Sequence, residues 1–240
     1  PGFINAHNHL ELSCFKGAIR QGLGLHKFLN EIKKKRERFS DERAREAIAE
    51  ADRQMQDQGI VACGDISNTG LSFATKAKSP VYYHTFVELF AFTEKQRKVI
   101  HQKGKGLLEE LRLQGLAGSL TPHAPYSVDN RLIRDIAGDL EETPSIITLH
   151  YLESGALQEM LIRLSGKVRS LFHELKLERS GWTPFRLRQL ASAASPVTGD
   201  LRLLLVHNLH ATPGNIRKVS RRFPHVTWVL CPRSNLFIKS

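Results

Sequence analysis

The chain has 240 residues, of which 41% are hydrophobic, and it carries a formal net charge of +11. A chain of this length can bury one large core, and it contains no run of about 18 apolar residues of the kind that spans a membrane. No basic stretch followed by an apolar segment opens it, so no signal peptide is predicted, and a cytoplasmic protein is expected.

Cysteine spacing and charge distribution exclude two further classes of protein. Cys14, Cys63 and Cys231 are scattered without C-x-x-C spacing, so we expect reduced thiols and no disulfide framework. Basic residues are densest at positions 33–36 and 217–222, in helix-like segments. Since no nucleic-acid motif accompanies them, solvated helix faces are the preferred interpretation, and a nucleic-acid partner is not predicted.

Apolar, β-branched runs alternate with longer amphipathic segments along the chain. The runs predict strands at residues 2–6, 60–66, 80–89, 115–121, 145–149, 201–206 and 226–230. The amphipathic segments predict helices at residues 41–58, 94–113, 129–141, 156–175, 184–194 and 213–222, and residues 192–200 are predicted to be a loop. Such alternation indicates parallel strands joined by helical crossovers, as in a doubly wound sheet or a (β/α)8 barrel.

Nearly every predicted strand ends in a histidine or an acidic residue. These residues are His7, His9, Asp65, Glu88, His123, His150, Glu153 and His207. The ends of many different strands converge on one mouth only if the sheet closes into a ring, and active sites of barrels lie at that mouth. The distribution therefore favours a barrel, with residues 1–240 forming one barrel domain.

The pair His7 and His9 gives the sharpest local signal. On a strand, residues i and i+2 share a face, so both imidazoles would point at one place, as in a metal site. The H-x-H pattern is common by chance, and the other strand ends give it weight. His150 could complete a set of imidazole ligands, and Glu153 could move protons between a metal-bound water and a substrate.

His123 and His207 each follow a predicted strand. Taken alone, either is more often a hydrogen-bonded core or loop histidine than a functional group. Their position beside the other strand-end residues makes both of them candidates for the same site.

Five segments carry a resemblance to a known family. In order they are PGFINAHNHLELS, SLTPHAPYSV, ITLHYLES, LLLVHNLH and LCPRSNLFI. Their order and spacing resemble the amidohydrolase superfamily, in the branch of cytosine and adenosine deaminases and chlorohydrolases. That branch includes the S-adenosylhomocysteine, guanine and aminodeoxyfutalosine deaminases. The resemblance covers essentially the whole chain and implies a TIM-type (β/α)8 barrel, but it does not extend to a particular substrate.

The resemblance also implies roles for individual residues. His7, His9 and His150 would bind one divalent metal ion, usually zinc and in some members iron. Glu153 would protonate a ring nitrogen of the substrate, and His207 would orient or deprotonate the metal-bound water.

Further residues match the family's motifs with smaller expected roles. His123 would contact the substrate. Ser234 and Asn235 match a motif at the seventh strand and are expected to support the mouth of the barrel. Asp65 and Glu88 end strands in the same ring and are weaker pocket candidates.

The implied reaction is hydrolysis of a non-peptide C–N bond by metal-bound hydroxide. Deamination of a purine, a pyrimidine or an adenosine-like nucleoside is the leading expectation, with a small heterocyclic molecule as the substrate. One alternative is hydrolysis of another leaving group, such as chloride or an amidine nitrogen. The other is a non-catalytic barrel that binds a ligand or a polyanion.

Members of this family also carry an eighth strand that ends in an aspartate, and a small β-sandwich. Neither is found in these 240 residues, so an incomplete barrel, truncated at both ends, is expected. A missing strand leaves unpaired edges that another element or a partner must cover, so a homo-oligomer is one expectation.

Overall fold

The computed structural model describes residues 1–140, 146–155, 187–194 and 201–239. Seven strands lie in these ranges: β1 Phe3–Asn8, β2 Ile60–Ser67, β3 Tyr82–Leu89, β4 Ala117–Pro122, β5 Ile146–Tyr151, β6 Arg202–His207 and β7 Val226–Val229. All seven predicted strands are confirmed. Strands β1, β2, β4, β5 and β6 extend one or two residues past their predicted ends, so His7, His150 and His207 lie inside strands.

Eight α-helices are described: α1 Leu25–Arg36, α2 Asp41–Asp57, α3 Phe73–Lys76, α4 Glu94–Leu113, α5 Asn130–Gly138, α6 Leu187–Ala194, α7 Pro213–Arg222 and α8 Pro232–Ile238. A 3-10 helix spans Leu10–Phe15. The predicted helices at 41–58, 94–113, 129–141, 184–194 and 213–222 are confirmed within the described residues. Residues 192–194, predicted to belong to the loop 192–200, lie in α6 instead, because the helix continues to Ala194. The rest of that loop and the predicted helix 156–175 lie outside the described residues.

Strand order distinguishes the two architectures that the sequence leaves open. One sheet has the order β1-β2-β3-β4 and the other the order β5-β6-β7, so spatial order follows chain order in both. The pairs β1/β2, β2/β3, β5/β6 and β6/β7 are parallel. A doubly wound sheet reverses its strand order at a switch point, whereas a barrel does not. The described strands therefore have the barrel order, as predicted.

The chain divides into two compact units. The first consists of Pro1–Val87, Leu107–Gly118 and Cys231–Ser240, and the second of Glu88–Gly106 and Ser119–Leu230. Among the described residues, no helix combines the length and the apolar character that crossing a membrane requires.

In the first unit, α2 covers β2 and β3. The Ser40 hydroxyl accepts a hydrogen bond from the amide of Arg43 and caps the helix. Ile48 and Met55 lie on the face of α2 that packs into a core with Cys63. This packing fixes the strands whose C-terminal ends carry the polar residues.

Acidification is expected to destabilise the fold through His84 on β3. Burial, and then the positive charge of Lys76, lower the pKa of His84 to about 4. The unfolded chain protonates a histidine near pH 6.5, so the stability from neutral His84 is present above pH 6.5 and is lost as the pH falls toward 4. Between pH 7 and pH 4, urea denaturation should show the His84→Gln variant losing less unfolding free energy than the wild type, by up to about 3 kcal/mol. Equal losses would contradict this role of His84.

Candidate active site

His7 and His9 form a close pair at the C-terminal end of β1. Their Nε2 atoms are 3.2 Å apart, and the ring planes meet at 79°. Both side chains are half-buried. Zinc binds imidazole nitrogen at about 2.0–2.1 Å, which places two ligands of a tetrahedral ion about 3.3 Å apart. The spacing of this pair therefore fits two ligands of one metal ion.

The backbone around this pair departs from a regular strand. The register between β1 and β2 shifts between Asn5 and Asn8. On β2, a Cβ at Gly64 would lie 2.7 Å from the carbonyl oxygen of Ala6, so only glycine permits this approach. His9 lies just beyond the strand, with φ −133° and ψ 77°. The two imidazoles converge as expected, although His9 reaches the common point from outside the strand.

Asp65, expected as a weak pocket candidate, is instead fully buried in the first unit. Its Oδ2 lies 2.6 Å from Nζ of the buried Lys76, and its Oδ1 accepts a hydrogen bond of 2.8 Å from the amide of Leu10. Lys76 also donates to Ser67 Oγ and Thr85 Oγ1. Asp65 thus belongs to an internal ion pair, because burial of its carboxylate requires a charged partner.

In the second unit, backbone hydrogen bonds join the ends of three successive strands. The amide of His123 donates to Leu89 O at 3.0 Å, and the amide of His150 donates to His123 O at 2.9 Å. This arrangement brings Glu88, His123 and His150 together, each offering a ligand atom within 4.8 Å of the others. The group has the composition and spacing of a possible metal site.

His150 is buried and held through its Nδ1 atom. That atom lies 3.1 Å from His123 O and 3.3 Å from Glu88 Oε1. Burial lowers the pKa of His150, but the hydrogen bond and charge of Glu88, with the charge of Glu153, outweigh it and raise the pKa to about 9. A metal-binding histidine commonly donates its other ring N–H to a carboxylate or carbonyl. Nδ1 therefore stays a donor, and a metal ion that binds Nε2 would displace the proton that the raised pKa keeps there.

Glu153 follows β5 and contacts two other side chains of the second unit. The Tyr126 hydroxyl donates to Glu153 Oε1 at 2.9 Å, and His207 Nε2 lies 3.5 Å from Oε2. Burial, and then the charge of Glu153, raise the pKa of Tyr126 well above its ordinary value, so its hydroxyl stays a donor. The ring of His207 stacks on His150 with centroids 5.4 Å apart. The carboxylate is thus held next to a histidine and a phenol.

The backbone at the ends of β5 and β6 is strained. Leu152, His207 and Asn208 have φ values of 49°, 75° and 55°, in the left-handed region. The amide of Asn208 donates to Tyr151 O at 3.0 Å, and its side chain donates to Leu205 O at 2.7 Å. Such residues cost about 1–3 kcal/mol each and cluster at functional sites. Here they set the direction of His207.

His123 is half-buried, with its Nδ1 2.6 Å from Ser127 Oγ. Its ring meets those of Phe90 and Tyr126 edge to face, with centroids 6.0 Å and 5.5 Å apart. Burial lowers the pKa of His123, so the imidazole is neutral at pH 7. A neutral imidazole among aromatic rings suits contact with a planar heterocycle.

Ser234 and Asn235 lie on α8 of the first unit, in the helix that follows β7. Ser234 is exposed, and the amide of Asn235 donates to Cys231 O at 2.9 Å.

The sequence predicts no role for Tyr126 or Glu11, although both contact other polar residues in the structure. The available signal was their position, three residues after His123 and two after His9.

Comparison with known proteins supports the resemblance over almost the whole chain. An adenosine deaminase of Helicobacter pylori is 25% identical over 237 residues, which are 98% of this chain and 56% of that protein. An aminodeoxyfutalosine deaminase of a Nitratiruptor species is 24% identical over 253 residues, with the same coverage of 98% and 56%. The chain therefore spans little more than half the length of these curated relatives.

Among solved structures, the Helicobacter pylori aminofutalosine deaminase in complex with methylthio-coformycin superposes with a TM-score of 0.82 at 25% identity. The match covers 100% of this chain and 58% of that one. The sequence model of the Amidohydrolase family matches residues 1–240. The chain belongs to the amidohydrolase family and has the α/β barrel fold of its relatives.

Proposed function

We propose that this chain carries the active site of a metal-dependent hydrolase that deaminates an adenosine-like nucleoside. The family match over residues 1–240 and the two deaminases among the relatives support this class of reaction. The observation that carries the metal dependence is the 3.2 Å separation between the Nε2 atoms of His7 and His9.

In this proposal His7, His9 and His150 hold one divalent ion. Zinc is the metal we favour, because imidazole is one of its usual ligands and the His7–His9 spacing fits its geometry, and iron is the alternative. A bound divalent ion supplies an activated water at neutral pH by lowering the pKa of that water to about 7. Nδ1 of His150 faces His123 O and Glu88 Oε1, so Nε2 is the proposed ligand atom.

Glu153 is the proposed acid of the reaction. Its carboxylate would take one proton from the attacking water and pass it to the substrate ring nitrogen, and the second proton of that water would go to the amino group, which leaves as ammonia. The Tyr126 hydroxyl fixes Oε1 at 2.9 Å, and His207 approaches Oε2 at 3.5 Å. His207 would orient or deprotonate the attacking water, and the left-handed backbone at this residue holds its ring in place.

His123 is the proposed contact to the substrate base. Its imidazole stays neutral at pH 7 because burial lowers its pKa, so it can offer one hydrogen bond without charge. Phe90 presents an exposed aromatic side chain next to it. Together these groups suit a planar heterocycle.

Replacing Glu88 by glutamine is expected to weaken metal binding by about 10- to 100-fold, the usual effect of losing a carboxylate that supports a ligand histidine. The reason is that the charge of Glu88 orients the His150 ring through Nδ1. Zinc affinity of the full-length protein, measured by competition with a chelating indicator, checks this. Glu94→Gln, which alters an exposed ion pair with Arg131, is the control and should bind like the wild type. Equal affinities for all three proteins would contradict the role of Glu88.

A substrate panel tests the leaving group. Adenosine and related nucleosides should release one ammonia per molecule consumed by the full-length, metal-loaded protein. Release of chloride from a chlorinated aminotriazine, without ammonia from any nucleoside, would favour the alternative hydrolase. Strongly salt-dependent binding of a polyanion by a metal-free protein would favour a non-catalytic barrel.

A cytoplasmic location is part of this proposal. Cys14 and Cys63 are reduced thiols, which suit a reducing compartment. Self-association remains a prediction, which sedimentation of the full-length protein would test.

A further inference from the structure

The 3-10 helix Leu10–Phe15 begins directly after His9, and buried Asp65 fixes its first residue. Asp65 Oδ1 accepts a hydrogen bond of 2.8 Å from the amide of Leu10. Its second oxygen is fixed in turn, because Lys76 Nζ lies 2.6 Å away and also donates to Ser67 Oγ and Thr85 Oγ1 at 3.1 Å and 3.0 Å. The three N–H groups of Lys76 thus have three acceptors. Asp65 Oδ1 is not among them, and it accepts from the amide of Leu10, the residue after His9.

A second buried carboxylate fixes the next residue of the same turn. Glu11 has a relative exposure of only 5%. Its Oε2 accepts from the amides of Asn68 and Thr69 at 3.0 Å and 3.1 Å, and from the Thr69 hydroxyl at 2.9 Å. Arg36 lies 3.4 Å from Oε1. Leu10 and Glu11 are therefore both hydrogen-bonded to β2 or to the residues that follow it. The amide of Leu10 donates its hydrogen bond, whereas the carboxylate of Glu11 accepts.

We propose that Asp65 and Glu11 are positioning residues for His9. By fixing the two residues that follow His9, they keep its Nε2 atom 3.2 Å from that of His7. This inference rests on the proposed function, in which these two nitrogens bind one metal ion.

Stability alone does not account for the Asp65–Lys76 pair. Both side chains are fully buried. Burial of two charges carries a desolvation penalty that their attraction offsets only with well-placed hydrogen bonds, and apolar replacements of such pairs are often as stable or more stable. The pair does provide a rigid acceptor at one defined point of the backbone.

Two double variants separate positioning from stability. Asp65→Asn/Lys76→Met removes both charges and keeps an acceptor for the amide of Leu10, whereas Asp65→Leu/Lys76→Met removes the charges and the acceptor together. We expect the asparagine variant to bind zinc like the wild type and the leucine variant to bind it about 10- to 100-fold more weakly. The d–d spectrum of the cobalt-substituted full-length protein should change only in the leucine variant.

A second pair of variants, at Glu11, is used if the leucine variant at Asp65 does not fold. Thermal unfolding of the metal-free proteins shows whether each variant folds. Glu11→Gln keeps an oxygen for the amides of Asn68 and Thr69, and Glu11→Leu does not. The same difference in zinc affinity and cobalt spectrum is expected between these two. Equal affinity and equal spectra within a folded pair would overturn the positioning role while leaving the metal site intact. A wild-type protein that binds no metal would overturn the proposed function and this inference together.

Discussion

Replacing both His7 and His9 by alanine is expected to reduce the bound metal from about one ion per chain to background. The Nε2 atoms of these residues lie 3.2 Å apart and would supply two of the three proposed imidazole ligands. The one remaining histidine ligand would bind the ion too weakly to retain it during purification, since stable zinc sites use three or four protein ligands. Elemental analysis of the purified full-length protein measures the occupancy directly.

The matched control replaces two other histidines. His101 on α4 pairs with Asp139, the residue that follows α5, and His225 is exposed. His101→Ala/His225→Ala should therefore retain the metal. Wild-type occupancy in the His7→Ala/His9→Ala protein would contradict the ligand assignment and would point to the group of Glu88, His123 and His150 instead.

Replacing Glu153 by glutamine is expected to lower kcat for deamination by about 10²- to 10⁴-fold, the range that one positioned acid or base contributes. Glutamine keeps the size of the side chain and can still accept the hydrogen bond from Tyr126, but it cannot deliver a proton. The metal content should not change, because Glu153 is not a proposed ligand. Steady-state ammonia release and elemental analysis on the same preparation give both values.

Glu94→Gln is again the control, since Glu94 is an exposed residue of α4. The Tyr126→Phe variant should lose less activity than Glu153→Gln, because it removes only the hydrogen bond that holds Oε1. Activity of Glu153→Gln within twofold of the wild type would show that another group carries the proton.

The strand pattern could be predicted because its signal is local. Each of the seven runs is apolar and β-branched, as expected for strands buried in a parallel sheet, and each is present. Helix α3 spans four residues and α8 spans seven, which is too short for an apolar period to be recognised. Helix α1 begins after Gly24 without a side-chain cap and carries a run of basic residues, so it has no strong start signal.

The sequence names candidate residues for the site, but it does not show the contacts between them. His7 and His9 could be found because their spacing matches the period of a strand, and Glu153 because it follows a strand-end histidine. The partner of Asp65 could not be found, because Lys76 lies eleven positions away on a one-turn helix with no periodic signal.

The same holds for the backbone at the end of β6. Left-handed φ values at His207 and Asn208 depend on hydrogen bonds to Tyr151 and Leu205, which only the folded sheet provides. A glycine would have indicated such a conformation in the sequence, but neither residue is glycine. Strained residues of this kind are therefore visible only in the structure.

The most direct test of metal-dependent deamination is ammonia release from adenosine by the full-length protein before and after its metal is removed. Release should stop when a chelator strips the protein, and it should return when about one equivalent of zinc is added back. An unchanged rate in the stripped protein, or nucleoside binding without ammonia release in the zinc-loaded protein, would contradict the proposed function.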